Sequence, residues 1–597
     1  MATGLSFGGK KSQKPLRIIT RLPRSQRAVN LFLLSSILFS IPLFRLAQLQ
    51  LVQGAYHRQV AEHNRIRPLP LVADRGNIID RHGKALASSL LTRAVYLYPR
   101  EQSKEQWQKT ADRLGAILNI PPQHLLEKLE KAGYNSAIPV RIAKNLQPQA
   151  FVALAEGEKI PGLEIQPESN RYYPNGAIAA HILGYVGEAT SEELKANPEL
   201  PMGMIVGQMG IERIADQQLR GRWGSRLLEV DAAGQELKML GIQKPVAGDG
   251  LQLTLDLKLQ KAAEQALGNR RGAAVALNLK TGEVLALASG PSFDPNLFTR
   301  PMTQQEWDTL QAKDKPFLNR ALQGYPPAST FKIVSSVAAM ESGKFSPDST
   351  IATSGAVNIG GVWFHEHGGG GYGVIGFRDA LAFSSNTFYY QLGVAIGPDP
   401  IYQWGHKLGI GETHLKLDGE TQGVIPTPAI KEKLYKETWY TGDTVTMAIG
   451  QGLVQVTPLE LAVMIAALGN GGQRVKPHLY MSQTNLPEFR PEATGMKQET
   501  IATIQQGLVA VVKEGTGRRL NDGSIPLTAG KTGTAEVTTG ANNALYVGYG
   551  PVKNPQIALA VVVENGGYGA ESAVPIAHEM YKAYFGTSKP APAKPAN

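Results

Sequence analysis

The strongest constraint on this chain lies near its start. Ala28 to Phe44 holds no charged residue and is dominated by Leu, Ile, Phe and Ser. As a helix rising about 1.5 Å per residue, such a run just spans a hydrocarbon core if its flanks snorkel. Seven basic residues precede it (Lys10, Lys11, Lys14, Arg17, Arg21, Arg24, Arg27) and no acid does. By the positive-inside rule, that flank predicts a cytoplasmic start and puts everything after Arg45 across the membrane. A cleaved signal peptide is one rival, but Arg45-Leu-Ala-Gln-Leu-Gln50 lacks a small-x-small cleavage site. A buried core helix is another, and the clustered basic flank fits it poorly. The expected reading is an uncleaved anchor over 28–48 behind a basic tail, 1–27.

Length and composition bound the rest. The 597 residues leave room for two or three domains beyond the anchor. The net charge of +11 includes the seven basic residues of the tail, so only +4 remains elsewhere. A protein that binds nucleic acid would more readily carry basic residues interleaved with aromatics on its folded surface. Cysteine is absent. That excludes disulfides, thiolate metal sites and a cysteine nucleophile.

Residues 46–67 predict a helix leaving the membrane. Ala73 to Ala87 reads strand–turn–strand, with Arg75-Gly76 and His82-Gly83 as turn signals. Residues 104–165 read mainly helical and are broken at Pro121-Pro122. Arg171-Tyr-Tyr-Pro174 and His181 to Gly187 read as a strand-rich patch, and Gly207 to Arg213 opens a helix ending near Leu219-Arg-Gly221. No nucleophile clusters with a base between 46 and 245, so this region reads as a scaffold.

A boundary is expected near Pro245 to Gly250. Beyond it come a strand (Leu251–Leu255), a helix (Asp256–Leu267, apolar on a 3.6 period) and two strands (Ala273–Leu279 and Glu283–Ser289) joined by a tight turn. Late strands at Ala544–Gly550 and Gln556–Glu564 precede a helix from about Val574 to Tyr584. Strands at both ends with helices between predict an α/β sheet covered by helices. Residues 586–597 read as a flexible Pro/Ala tail.

The chemistry starts at Tyr325-Pro326-Pro327-Ala328-Ser329-Thr330-Phe331-Lys332. Two prolines forbid helix before Ala328, and a small, apolar run favours it afterwards. Ser329 is therefore expected in a first helical turn with Lys332 one turn on, a hydroxyl beside an amine. Alone the pattern is weak, because Ser-x-x-Lys arises by chance about once or twice in a chain this long. Two further motifs follow it: Ser384-Ser385-Asn386 and Lys531-Thr532-Gly533-Thr534. Lys280-Thr281-Gly282 also reads Lys-Thr-Gly, but it precedes the serine motif and sits in a hairpin turn.

The three motifs in this order resemble those of the penicillin-binding transpeptidases. Arg75 to Ala87, Gly207-x-x-Gly-Ile-Glu212 and Leu219-Arg-Gly221 resemble the N-terminal signatures of class B members. Pro291 to Asn296, Asn319 to Gly324, Trp439-x-x-Gly-Asp443 and Ile449 to Gly452 look most like the elongation-type penicillin-binding protein 2 group. The division-type group is the near alternative. There is no Glu-Asp-x-x-Phe-x-x-His stretch of a glycosyltransferase domain.

The resemblance implies a multidomain protein: an anchor at 28–48, an α+β pedestal of dimerisation type at 49–245, and a β-lactamase-like transpeptidase domain at 246–585 with an antiparallel sheet covered by helices. It implies a peptidoglycan D,D-transpeptidase that forms an acyl-enzyme on Ser329, binds penicillin covalently, and acts in wall elongation and cell shape. Lys332 is expected as the proton acceptor, Ser384 as a proton relay and Asn386 as an orienting group. The N–H groups of Ser329 and Thr534 would form the oxyanion hole. Lys531, Thr532, Gly533 and Thr534 would bind the terminal carboxylate and pair with the peptide. The implied partners are stem peptides of membrane-linked wall strands, a RodA-type SEDS glycosyltransferase and β-lactams; no cofactor is implied. The implied location is the plasma membrane of a bacterium, single-pass, with the catalytic domain outside the cytoplasm. A β-lactamase or D,D-carboxypeptidase and a non-catalytic sensor or scaffold remain alternatives. Ala328 stands where the family usually has glycine. Some relatives bind zinc near this region with a cysteine that this chain lacks, so no metal ligand set is expected. Trp363-Phe-His365-Glu-His367 reads as a Gly-rich loop rather than a metal site.

Overall fold

The computed structural model describes residues 23–136, 139–198, 200, 203–231, 236–300, 302–311 and 314–586. Most of the expected basic tail and nearly all of the expected Pro/Ala tail lie outside these residues. The chain divides into two compact units. One comprises the chain up to Leu69 with Ser225–Gln243, and the other Pro70–Gly224 with Lys244 onward.

In the first unit, helix α1 (Arg24–Ala47) contains the apolar run and begins before it. A short π-helical stretch, Gln48–Val52, prolongs it. The span Ser25–Val52 has a mean hydropathy of 1.8, and none of its apolar window is buried. A second helix, Gly54–Arg65, leads into a three-stranded sheet of Ile66–Leu71, Gly224–Val230 and Glu236–Gln243.

In the second unit, the signature segments meet around one buried carboxylate. Glu212 accepts Nε–H bonds from Arg75 and from Arg171, each at 2.6 Å, while Arg75 also reaches Asp216 at 2.8 Å. Burying Glu212 completely is tolerable because two guanidinium groups pair with it. The long antiparallel pair Ala85–Leu97 with Leu163–Tyr172 runs beside a small helical core of Trp107, Leu114, Leu125 and Leu129. The expected strand at His181 is instead a one-turn helix, Ala180–Leu183. His181 Nε2 lies 2.7 Å from the Pro316 carbonyl, an acceptor far away in sequence that overrides the local β pattern.

A five-stranded sheet has strands β1 (Gly272–Asn278), β2 (Val284–Gly290), β3 (Ala529–Ala535), β4 (Asn543–Gly550) and β5 (Ile557–Val563) in the order β2-β1-β5-β4-β3. Every neighbouring pair is antiparallel. Both faces are buried, so the strands read as apolar runs, and the period of two sorts side chains between the faces. Ala273, Val275, Leu277, Ala558, Ala560 and Val562 join the larger core, while Ala274, Ala276, Leu559 and Val561 join the smaller one.

The helices that position the site are α2 (Leu257–Leu267), α3 (Lys332–Glu341), α4 (Phe377–Ala382), α5 (Asn386–Ile396), α6 (Pro458–Gly469), α7 (Gln498–Lys513) and α8 (Gly569–Phe585). Helix α6 is buried along its whole length, which fits its nearly unbroken apolar sequence. Helices α2 and α8 cover the opposite face of the sheet. The C-terminal helix starts five residues before its expected start, because Gly569 and the first turn lie against the sheet.

Candidate active site

Three segments, far apart in sequence, converge at one end of α3. Pro326-Pro327 lead into a 3-10 turn, Ala328–Phe331, and only then does α3 begin at Lys332. Ser329 therefore sits in a tighter turn than the helical one its sequence predicts. Ala328 adopts φ +48°, the left-handed region that costs an L-residue about 1–2 kcal/mol and that glycine occupies freely. Its N–H donates to the Gly450 carbonyl at 2.8 Å, and the Thr330 hydroxyl donates to the Pro327 carbonyl at 2.6 Å. The hydroxyl-bearing turn is thus fixed by its backbone, while Ser329 itself stays partly accessible.

Lys332 is fully buried. Its Nζ donates to the Ser384 carbonyl at 2.7 Å and to Asn386 Oδ1 at 2.7 Å, with Ser384 Oγ at 3.4 Å. Among the described residues no carboxylate touches it directly. Burial outweighs the field of Glu366 and pushes the amine down to about 7. Lys531 on β3 is equally buried, and its Nζ reaches Ser384 Oγ at 2.9 Å and the Thr532 carbonyl at 3.0 Å. Burial and the nearby Lys332 drive its pKa down as well. The charge of Lys332 thus adds to burial in disfavouring a second ammonium at Lys531. Ser384 Oγ bridges them, so a proton has a path between the two lysines.

Ser384, like Ala328, is a non-glycine residue in the left-handed region, at φ +59°. The reason lies one residue on. Ser385 caps α5 by accepting from the Phe388 N–H at 3.3 Å, so the chain must turn sharply from the end of α4. Asn386, the first residue of α5, carries the amide that receives Lys332.

β3 is the edge strand of the sheet, so half of its N–H and C=O groups have no strand partner. Its Gly533 faces the serine turn. A Cβ there would lie 3.1 Å from Thr330 Cγ2 and 3.2 Å from the Pro327 carbonyl, a separation only glycine tolerates without a shift. Thr532 Oγ1 lies 2.5 Å from Thr516 Oγ1, and Thr534 Oγ1 accepts from the Gly569 N–H at 3.4 Å.

The structure therefore brings Lys332, Ser384, Asn386 and Lys531 into one hydrogen-bonded group, with Ser329 on the turn against Gly533. Lys280-Thr281-Gly282 belongs elsewhere. Asn278 Oδ1 accepts from the N–H groups of Lys280 and Thr281, and Gly282 takes φ +82° in the turn between β1 and β2. His365 and His367 are exposed. Among the described residues no group of three His, Asp or Glu is arranged to hold a metal ion.

Two residues of the site carry no motif. Thr516 adds a hydroxyl beside Thr532. Glu366, between the two histidines, is buried and accepts from five donors around the Ser385-Asn386-Thr387 segment. No local pattern marks it, since a lone acid on a Gly-rich loop reads as solvated.

Comparison with known proteins agrees with this geometry. The description "Penicillin binding protein transpeptidase domain" matches residues 272–582, and "Penicillin-binding Protein dimerisation domain" matches 70–253. The peptidoglycan D,D-transpeptidase MrdA of Acinetobacter baumannii is 31% identical, across 98% of this chain and 92% of that protein. MrdA of Escherichia coli K12 is also 31% identical, across 91% and 92%. Penicillin-binding protein 2 of Helicobacter pylori, solved in complex with MreC, superposes with a TM-score of 0.77 at 28% identity, over 87% of this chain and 98% of that one. A chain of a peptidoglycan synthase complex that coordinates polymerization and crosslinking gives 0.72 at 31% identity, over 95% and 100%.

Proposed function

This chain belongs to the class B penicillin-binding transpeptidases, and we infer that Ser329 is the nucleophile of its reaction. The enzyme is a peptidoglycan D,D-transpeptidase of the elongation type that cross-links stem peptides through a serine acyl-enzyme. The observation that carries the assignment of residues is the fully buried, uncharged-leaning Lys332, held by Ser384 and Asn386 next to the serine turn. An amine with a pKa near 7 is a competent general base at neutral pH.

The steps follow from the positions. Lys332 takes the Ser329 hydroxyl proton as Oγ bonds to the carbonyl carbon of the penultimate D-Ala. The N–H groups of Ser329 and Thr534 stabilise the oxyanion. Ser384 passes the proton to the departing amine, the C–N bond breaks and D-Ala leaves. An amine of a second stem then attacks the ester, its proton returns through Lys332, and Ser329 regains its hydroxyl proton. Lys531, Thr532 and Thr534 hold the terminal carboxylate, with Thr516 orienting Thr532. The substrate anion favours the charged form of Lys531, against the burial that disfavours it. The substrate backbone pairs with the open edge of β3.

The domain limits proposed are an anchor at 28–48, a pedestal at 49–245 and a catalytic domain at 246–585. Helix α1 anchors the protein in the plasma membrane with its start in the cytoplasm and the catalytic domain outside it. The partners proposed are a RodA-type SEDS glycosyltransferase and a scaffold of the MreC kind, by analogy with the related assemblies. Glu366 spends its carboxylate on five donors, so it is not free to serve as a deacylating base of the β-lactamase kind.

Fluorescent penicillin is expected to label the full-length protein on Ser329, and Ser329→Ala to abolish the label. A persistent label on the alanine variant would refute the nucleophile, and rapid release of the label would point to a β-lactamase.

A further inference from the structure

We propose that Glu366 is a positioning residue for the acylation reaction, holding the Ser384–Asn386 segment, through Ser385 and Asn386, in the arrangement that serves Lys332. The proposal deepens the transpeptidase reading and rests on it.

The acceptors of Lys332, the Ser384 carbonyl and hydroxyl and the Asn386 amide, all lie on one three-residue segment. That segment does not favour its own conformation, because Ser384 is held at φ +59°. Beyond the Ser385 cap, a contact from outside the segment can keep it there. Glu366 is placed to do so. Its Oε1 accepts from the N–H groups of Asn386 at 2.6 Å and His367 at 2.9 Å. Its Oε2 accepts from the Ser385 hydroxyl at 2.6 Å, the Thr387 N–H at 3.0 Å and the Thr387 hydroxyl at 2.7 Å. The helix is already capped by Ser385, so the carboxylate adds more than a cap: it pins the cap residue itself and the two residues that follow it.

The acid is itself rigidly mounted. It follows the hairpin Ala356–Ile359 and Val362–His365. Its N–H donates to the Gly355 carbonyl at 2.9 Å and its carbonyl accepts from the Gly369 N–H at 3.2 Å. Its negative charge also faces the N-terminus of α5, where the helix dipole favours an anion. The charged and titratable groups around the segment are Lys332, Lys531, Glu366, Glu536, His365, His367, Tyr372, Tyr389 and Tyr390.

The bond pattern makes a sharp test. Each carboxylate oxygen receives at least one backbone N–H. In Glu366→Gln, whichever way the amide is turned, its NH2 meets an N–H donor. The variant is nearly isosteric and still cannot reproduce the clamp. Glu366→Asp keeps the charge but withdraws it by one methylene.

The test uses the full-length chain in detergent. Acylation of Ser329 by fluorescent penicillin is followed against pH, with rates normalised to the labelled fraction at saturation. For Glu366→Gln the acylation rate is expected to fall at least tenfold per active molecule. The pH midpoint of its acidic limb is expected to move downward, since Lys332 loses both an anion and well-placed acceptors for its ammonium form. Glu366→Asp should recover part of the rate. A merely structural role would lower the active fraction and leave the normalised rate and midpoint where they are, and that result would overturn the proposal. Should Glu366→Gln not fold, Thr387→Val, which removes one O–H donor while keeping the shape, is expected to slow acylation severalfold at unchanged Tm. An unchanged rate in that variant would also overturn the proposal. An unlabelled Ser329 in the wild-type chain would overturn the transpeptidase site itself. A labelled wild type with unaltered Glu366 variants would overturn the positioning role alone.

Discussion

The pH dependence of acylation is the sharpest consequence of burying Lys332. An exposed lysine titrates near 10.5, whereas burial brings this one to about 7. Only the neutral amine can accept the Ser329 proton, so activity is lost as pH falls through the folded pKa and is complete above it. At pH 6 about one molecule in eleven has a neutral Lys332, and at pH 8 about ten in eleven do. The rate of acylation by penicillin should therefore rise about tenfold from pH 6 to pH 8 and then level. With an ordinary lysine the rate would go on climbing about tenfold per unit through pH 9. The penicillin carboxylate is ionised throughout this range and adds no titration of its own. Stopped-flow or quench measurement of labelling between pH 5.5 and 9.5, at saturating stability of the fold, separates the two curves. A rate still rising tenfold between pH 8 and 9 would refute the buried-base argument, as would a flat profile from pH 5.5 upward.

Two substitutions test the framework around the base. In Gly569→Ala the new Cβ would sit 2.4 Å from the Leu545 carbonyl oxygen and 2.5 Å from that of Gly533, so β3 must shift. A loss of about 1–3 kcal/mol in thermal unfolding and more than tenfold in penicillin acylation is expected, and unaltered acylation would show that β3 is not positioned from that side. In Ala328→Gly, relief of the left-handed strain at about 1–2 kcal/mol is partly offset by about 0.5–1 kcal/mol of unfolded-state entropy. A small net gain in Tm with acylation retained is expected, and a clear loss of stability would refute the strain.

Much of the fold was legible because it is written in local periods. The apolar runs of β1 and β5 report strands buried on both faces, and the 3.6 period of α2 reports one buried face. The order of the three motifs also survived, since their chemistry depends on side chains that no neighbour can replace. Other features were hidden for a physical reason. The helix at His181 is set by a carbonyl 135 residues away, and the 3-10 form of the serine turn by the Gly450 carbonyl.

By itself, the sequence determined which residues can act: a serine after two prolines, two lysines, a second serine and an asparagine, and an apolar helix ahead of them all. It could not determine their state. The pKa of Lys332 is lowered because the fold buries it fully, and Lys531 meets the same Ser384 hydroxyl only across 147 residues of chain. Glu366 looks like a solvated loop acid until tertiary packing closes around it, and only then do five donors make it part of the site. Desolvation and convergence of distant groups depend on surroundings rather than residue type, so only the tertiary structure decided them.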